Sequence, residues 1–200
     1  MSWLYSPLLI GGALLQAEAA EDESDAASPM MGLYQMIISV SNSFTRPANT
    51  TAYTAGDLIA NDVDAADVIP LKFTTSRLSS GRGIIRRARL FKDSETVTAA
   101  SFNLHLFSQS PVVTNGDNGA LAVATAQHFL GTIALDLSTG AFVTATDVIK
   151  AAAASPEINF DLQSVSARER RLYGLLEALG AYAPASGETF EVTLEMASVE

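Results

Sequence analysis

From Gln35 onward apolar and polar residues alternate along the chain, the period of two expected of strands with one face buried. Met36, Ile38 and Val40 share one side of a first strand. Phe102, Leu104 and Leu106 alternate with Ser101, Asn103 and His105, and Phe190, Val192, Leu194 and Met196 alternate with Thr189, Glu191, Thr193 and Glu195. Ile158, Phe160 and Leu162 do the same around Asn159 and Asp161. Less regular apolar stretches at 68–74, 83–91, 131–135 and 171–176 bring the total to about eight or nine strands. Turn clusters at Ser79-Ser80-Gly81, Thr114-Asn115-Gly116-Asp117-Asn118-Gly119 and Ser186-Gly187 separate them, which predicts an all-β fold, an antiparallel β-sandwich or jelly roll.

Helix is scarce by the same reading. Residues 120–129 predict one short helical turn and 146–154, with its run Ala151 to Ala154, another, both within connections. Strands and helices do not alternate, which argues against doubly wound nucleotide-binding folds. Two segments share a grammar of turn residues followed by alternation: Thr45-Arg46-Pro47 through Tyr53 and Gly56-Asp57 to Ile59, and Tyr182 through Gly187-Glu188 to Leu194. Each predicts a hairpin, one at either end of the domain.

The length of 200 residues suits one domain with an arm, placed at 35–200 and 1–34. The arm opens on an apolar run with Trp3, Leu4, Tyr5, Leu8, Leu9 and Ile10, followed by an acidic spacer with Glu18, Glu21, Asp22, Glu23 and Asp25. No Lys or Arg precedes the run, so it lacks the positive flank of a secretory signal and is expected to be retained. Pro7 and the Gly11-Gly12 pair interrupt it too early for a membrane span. An apolar run on a polar tether calls for a partner to cover it.

Charge sharpens this picture. The net charge of −10 disfavours nucleic acid, whose binding needs a basic surface. Yet Lys72, Arg77, Arg82, Arg86, Arg87, Arg89 and Lys92 gather seven of the twelve basic residues into one window of 21 positions. A solvated face is the plain explanation. Docking of Arg82, Arg86, Arg87 and Arg89 onto carboxylates of a neighbour is the sharper one, since guanidinium forks suit interfaces. Cysteine is absent, so neither disulfides nor a thiolate zinc site support the fold.

Candidate chemistry is sparse, and no cofactor or metal site is expected. His105 and His128, the two histidines, read as surface or packing residues. Asp117 lacks the spaced acidic ligands of a calcium loop and reads as a turn residue. Ser80-Gly81-Arg82-Gly83 lacks the Lys-Ser/Thr ending of a phosphate loop. No G-x-S-x-G elbow occurs, and Asn49-Thr50-Thr51 reads as a turn.

The Thr45-Arg46-Pro47 to Gly56-Asp57 opening, the Gly83-Ile84-Ile85 to Leu90 strand after its Ser/Gly turn, and Asn103-Leu104-His105-Leu106-Phe107 with the loop Asp117-Asn118-Gly119-Ala120 resemble β-sandwich virion structural proteins of tailed bacteriophages. The similarity spans roughly Met36 to Met196 and leaves the arm unmatched. It implies a non-enzymatic, jelly-roll-like capsid decoration (cement) protein on the capsid exterior, made in the host cytoplasm. Its implied partners are the major capsid protein and copies of itself, with a homotrimer as the first expectation. A tail or head-to-tail accessory protein is the near alternative. A carbohydrate-binding sandwich for host attachment is less favoured, because sugar stacking needs exposed aromatics and the single tryptophan lies in the arm.

Overall fold

The computed structural model describes residues 36–199, which form two antiparallel sheets packed into a sandwich. The strands are β1 (Ile37–Thr45), β2 (Leu58–Ile59), β3 (Leu71–Thr74), β4 (Arg82–Lys92), β5 (Ser101–Phe107), β6 (Phe129–Asp136), β7 (Phe142–Val143), β8 (Val148–Asp161), β9 (Arg171–Ala178) and β10 (Thr189–Ser198). The first sheet runs β1-β10-β4-β8-β7 and the second β2-β9-β5-β6, with β3 also paired to β9. The regular alternations become β1, β5, β10 and the second half of β8. Their apolar sets, among them Ile38, Phe102, Leu104, Leu106, Ile158, Phe160, Val192, Leu194 and Met196, are buried in one shared core.

The irregular stretch in β4 has a local cause. The register of β4 slips against β10 between Glu195 and Met196, and against β8 between Ile85 and Arg87. A bulge there lets Arg86 and Arg87 both face outward while Ile85 and Ala88 both stay buried. Strict alternation would have driven one arginine into the core.

Three expectations change. Residues 146–154 contain the start of β8, not a helix. Ala151, Ala152 and Ala153 lie opposite Arg89, Ala88 and Arg87, and ladder pairing overrides the helix preference of alanine. Residues 120–128 form turns and a bridge between Val113 and Val123; among the described residues, helical structure is confined to a 3-10 turn at Ala65–Asp67.

The third change is the most consequential. The two turn-rich segments are not hairpins. Because β1 pairs β10 in the first sheet while β2 pairs β9 in the second, residues 46–57 cross from one sheet to the other and residues 179–188 cross back. The crossings run side by side: the Arg46 N–H donates to the Glu188 carbonyl at 3.0 Å and the Tyr53 N–H to the Tyr182 carbonyl at 2.8 Å. Gly56 and Gly187 take positive φ, 94° and 66°, at the bends, where a Cβ is disfavoured.

Candidate functional site

At the paired crossings the chain buries six ionisable side chains in two matching triads. In one, Arg46 Nη2 lies 3.0 Å from Asp117 Oδ2 with both side chains wholly buried. Tyr53 Oη donates to Asp117 Oδ1 at 2.6 Å and accepts from Arg46 Nε at 2.7 Å. The Ala60 N–H adds a bond to Asp117 Oδ1 at 3.0 Å, and the Asn49 and Ala185 carbonyls accept from Arg46 Nη1. In the other triad, Lys92 Nζ donates to Glu188 Oε1 at 2.9 Å and to the Ser94 carbonyl at 2.6 Å, and Tyr182 Oη lies 2.6 Å from both Glu188 oxygens.

The correspondence extends to the rings. The Arg46 guanidinium sits 5.1 Å from the Tyr53 ring centroid and Lys92 Nζ 5.3 Å from that of Tyr182. Burial pushes both phenols well above the ordinary range, and the carboxylates that accept their protons push them further. Burial draws the Lys92 ammonium down, with Glu188 opposing. Each polar atom of the triads meets a partner, which is the condition for burying charge without a large penalty. The arrangement holds ions in place; it is sealed from solvent and fastens the two crossings to each other.

Asp117 therefore does more than shape a turn. Its loop is seated by Asp117 N–H donation to the Asp62 carbonyl at 2.6 Å. A Cβ on the adjoining Gly116 would come within 2.1 Å of the Val63 carbonyl oxygen, so glycine is what permits the approach. Lys92, expected in the basic surface window, is instead wholly buried. Arg46, Tyr53, Lys92, Asp117, Tyr182 and Glu188 were not singled out by sequence as one site. The shared grammar of the two crossings contains Arg46, Tyr53, Tyr182 and Glu188, but Asp117 and Lys92 come from other parts of the chain.

The predicted arginines lie on the outer face of the first sheet. Cross-strand register arranges that face in rows: Phe142, Ile149, Phe91, Glu191 and Ser43; then Ala151, Arg89, Thr193 and Ser41; then Ala153, Arg87, Glu195 and Ser39. Arg87 grips Glu195 through Nε at 2.9 Å and Nη2 at 2.6 Å. Arg89 reaches the same carboxylate at 3.7 Å, Arg86 meets Glu157 at 3.5 Å and Arg82 meets Asp161 at 3.0 Å. All four thus have a carboxylate within their own chain. A depression of about 230 Å³ opens between Ser41, Arg89, Phe91, Ile149, Glu191 and Thr193. Phe142 remains 69% exposed at the end of its row. Trp3, Leu4, Tyr5, Leu8, Leu9 and Ile10 lie outside the described residues.

On the second sheet His105 bridges Thr132 Oγ1 through Nδ1 at 2.8 Å and Glu177 Oε2 through Nε2 at 2.9 Å. A hydroxyl, an imidazole and a carboxylate in line invite comparison with a nucleophilic triad. They sit instead on three adjacent strands, and β5 is paired on both sides, so the backbone donors around His105 are spent on the ladder rather than aimed at a developing oxyanion. Cross-strand pairing accounts for the row. His128 is half-buried, its carbonyl accepting from the Ser108 N–H.

No family model matches the chain, and no curated protein does. Among solved structures it is similar to the native virion of Kashmir bee virus at neutral pH, with 13% identity, 90% of this chain and 77% of that chain covered, and a TM-score of 0.29. It is also similar to the empty capsid of Triatoma virus, with 12% identity, coverage of 92% and 81%, and a TM-score of 0.25. At these scores no residue correspondence is drawn, and the sandwich assignment rests on the strand pairing itself.

Proposed function

We propose that this protein is a non-enzymatic virion structural protein of the capsid decoration type, which binds the major capsid shell as a symmetric homo-oligomer and reinforces it. The observation that carries this reading is the outer face of the first sheet. It joins exposed arginines and an exposed aromatic, residue types enriched at protein interfaces, on a ladder-supported surface. The two ion pairs whose side chains are wholly buried are sealed at the sheet crossings, where they support the frame. The phage-like grammar of residues 36–196 points the same way. The apolar run of the arm is the second attachment element, covered by the shell or by neighbouring copies.

Purified shells lacking this protein, mixed with the full chain and with a form lacking residues 1–30, test the reading. The full chain is expected to co-sediment with shells, and the truncated form to stay folded but lose attachment. Undiminished attachment of the truncated form would remove the arm from the proposal. Density for the chain on the tail rather than the shell, in electron cryomicroscopy of whole particles, would replace decoration with the tail-accessory role.

A further inference from the structure

Edge strands expose unpaired backbone groups, and proteins protect them with charge, proline, brevity or cover. Of the edges here, β7 and β2 have two residues each and β3 has four. β6 packs against β8 and ends in Asp136. β1 packs against β3, but among the described residues it has neither charge, proline nor brevity to protect it. It runs nine residues, Ile37–Thr45, without Lys, Arg, Asp, Glu or Pro, in a chain of net charge −10. No described residue pairs with its outer edge.

Its register shows what that edge presents. The Met36 carbonyl accepts from Ser198 and the Arg46 N–H donates to Glu188, so even-numbered residues turn their backbone groups toward β10. By alternation Ile37, Ser39, Ser41, Ser43 and Thr45 turn theirs outward. The side chains of the same five residues are exposed, and four of them are short hydroxyls.

We propose that β1 joins two copies of this chain edge to edge, antiparallel, about a twofold axis through Ser41. This register sets Ser41 against its own copy, Ser39 against Ser43 and Ile37 against Thr45. All are outward-turned residues, so each facing pair exchanges N–H···O bonds. The occupant is a second copy because the strand is self-complementary in this register, and because an acidic chain can approach itself without like-charge repulsion only along a neutral stretch. Such pairing is isologous and closes on itself. It goes beyond shell attachment and stands or falls separately from it.

Sedimentation and light scattering of the full chain, over a range of concentrations, supply the test. The expected mass is an even multiple of the chain, against the threefold mass first expected. Ser39→Lys with Ser43→Lys places like charges across the seam, while each new lysine sits beside Glu195 or Glu191 of its own chain; the mass should halve with the melting temperature maintained. Ser39→Lys with Ser43→Glu places opposite charges across the seam and should keep the wild-type mass. Ser43→Pro removes one outward N–H without touching the β10 ladder and should also halve it. A wild-type monomer, an odd multiple, or a double-lysine variant that keeps the full mass would overturn the proposal.

Discussion

Tyr53 and Tyr182 stack with ring centroids 6.3 Å apart and planes 12° from parallel. One belongs to the outgoing sheet crossing and the other to the returning one. Each hydroxyl is bonded to its own buried acid, so the stacked pair is where the two triads meet. Replacing either ring by Phe keeps the stack and removes the hydroxyl. Tyr53→Phe leaves Arg46 Nε and Asp117 Oδ1 each short of a partner, and should cost about 1–3 kcal/mol. Urea unfolding of Tyr53→Phe and Tyr182→Phe measures this; a loss under a few tenths in both would show that the hydroxyls are not integral to the crossing.

Asp117→Ala removes one charge of a sealed pair and strands Arg46. A broken buried pair costs about 3–5 kcal/mol, whereas replacing the whole pair by apolar groups can be nearly neutral. The double variant Arg46→Met with Asp117→Leu should therefore recover much of the stability lost in Asp117→Ala. Additive losses in denaturant titrations would contradict the reading of the pair as one unit.

Much of this frame was legible from periodicity. Ile38, Phe102, Leu104, Val192 and Leu194 announce their burial by alternation, because a strand with one wet face leaves no other solution. The bulge at Arg86 and the strand at Ala151 to Ala153 were not legible, since each depends on the partner strand rather than on local preference. The triads were hidden for the same reason. Arg46 and Asp117 lie 71 positions apart, and charged or turn-forming residues read as surface until topology brings them together. The matching crossings were visible, but their turn grammar describes a sheet switch as well as it describes a hairpin.

Gly116→Ala tests the loop that delivers Asp117. The new methyl would meet Val63 backbone rather than a yielding side chain, so the loop must lift and draw Asp117 away from Arg46. The loss should approach that of Asp117→Ala, and combining the two should add little. Full additivity would place the effect of Gly116 elsewhere.

The tyrosines also set an alkaline limit. Lys92 has a lowered pKa in the fold, so between that lowered value and its unfolded value of about 10.4 the unfolded chain binds the extra proton and stability rises with pH. Tyr53 and Tyr182 have raised values. Above about pH 10 the unfolded phenols ionise while the folded ones keep their protons, and stability falls by about 1.4 kcal/mol per pH unit for each. Two tyrosines outweigh one lysine whose contribution ends near the same pH. Urea midpoints should climb gently toward pH 10 and drop beyond it, and the drop should shrink in the Tyr53→Phe with Tyr182→Phe variant. An unchanged decline in that variant would assign the alkaline limit to other groups.

Reversing charge at Arg87 and Arg89 separates the frame from its outer surface. Both side chains are about half exposed, 50% and 42%, and exposed ion pairs contribute only about 0.2–1 kcal/mol each. Arg87→Glu with Arg89→Glu sets new carboxylates beside Glu195, so a small drop in melting temperature is expected, reduced by salt as screening weakens the repulsion. Attachment should respond far more strongly, because a docking surface gathers its effect from long-range complementarity as well as contact. Wild-type attachment to shells should weaken between low and moderate salt, and the reversed variant should bind weakly at both. If the variant bound shells as tightly as wild type at low salt, Arg87 and Arg89 would serve only to pair Glu195 within the chain, and the attachment surface would have to be sought on another face.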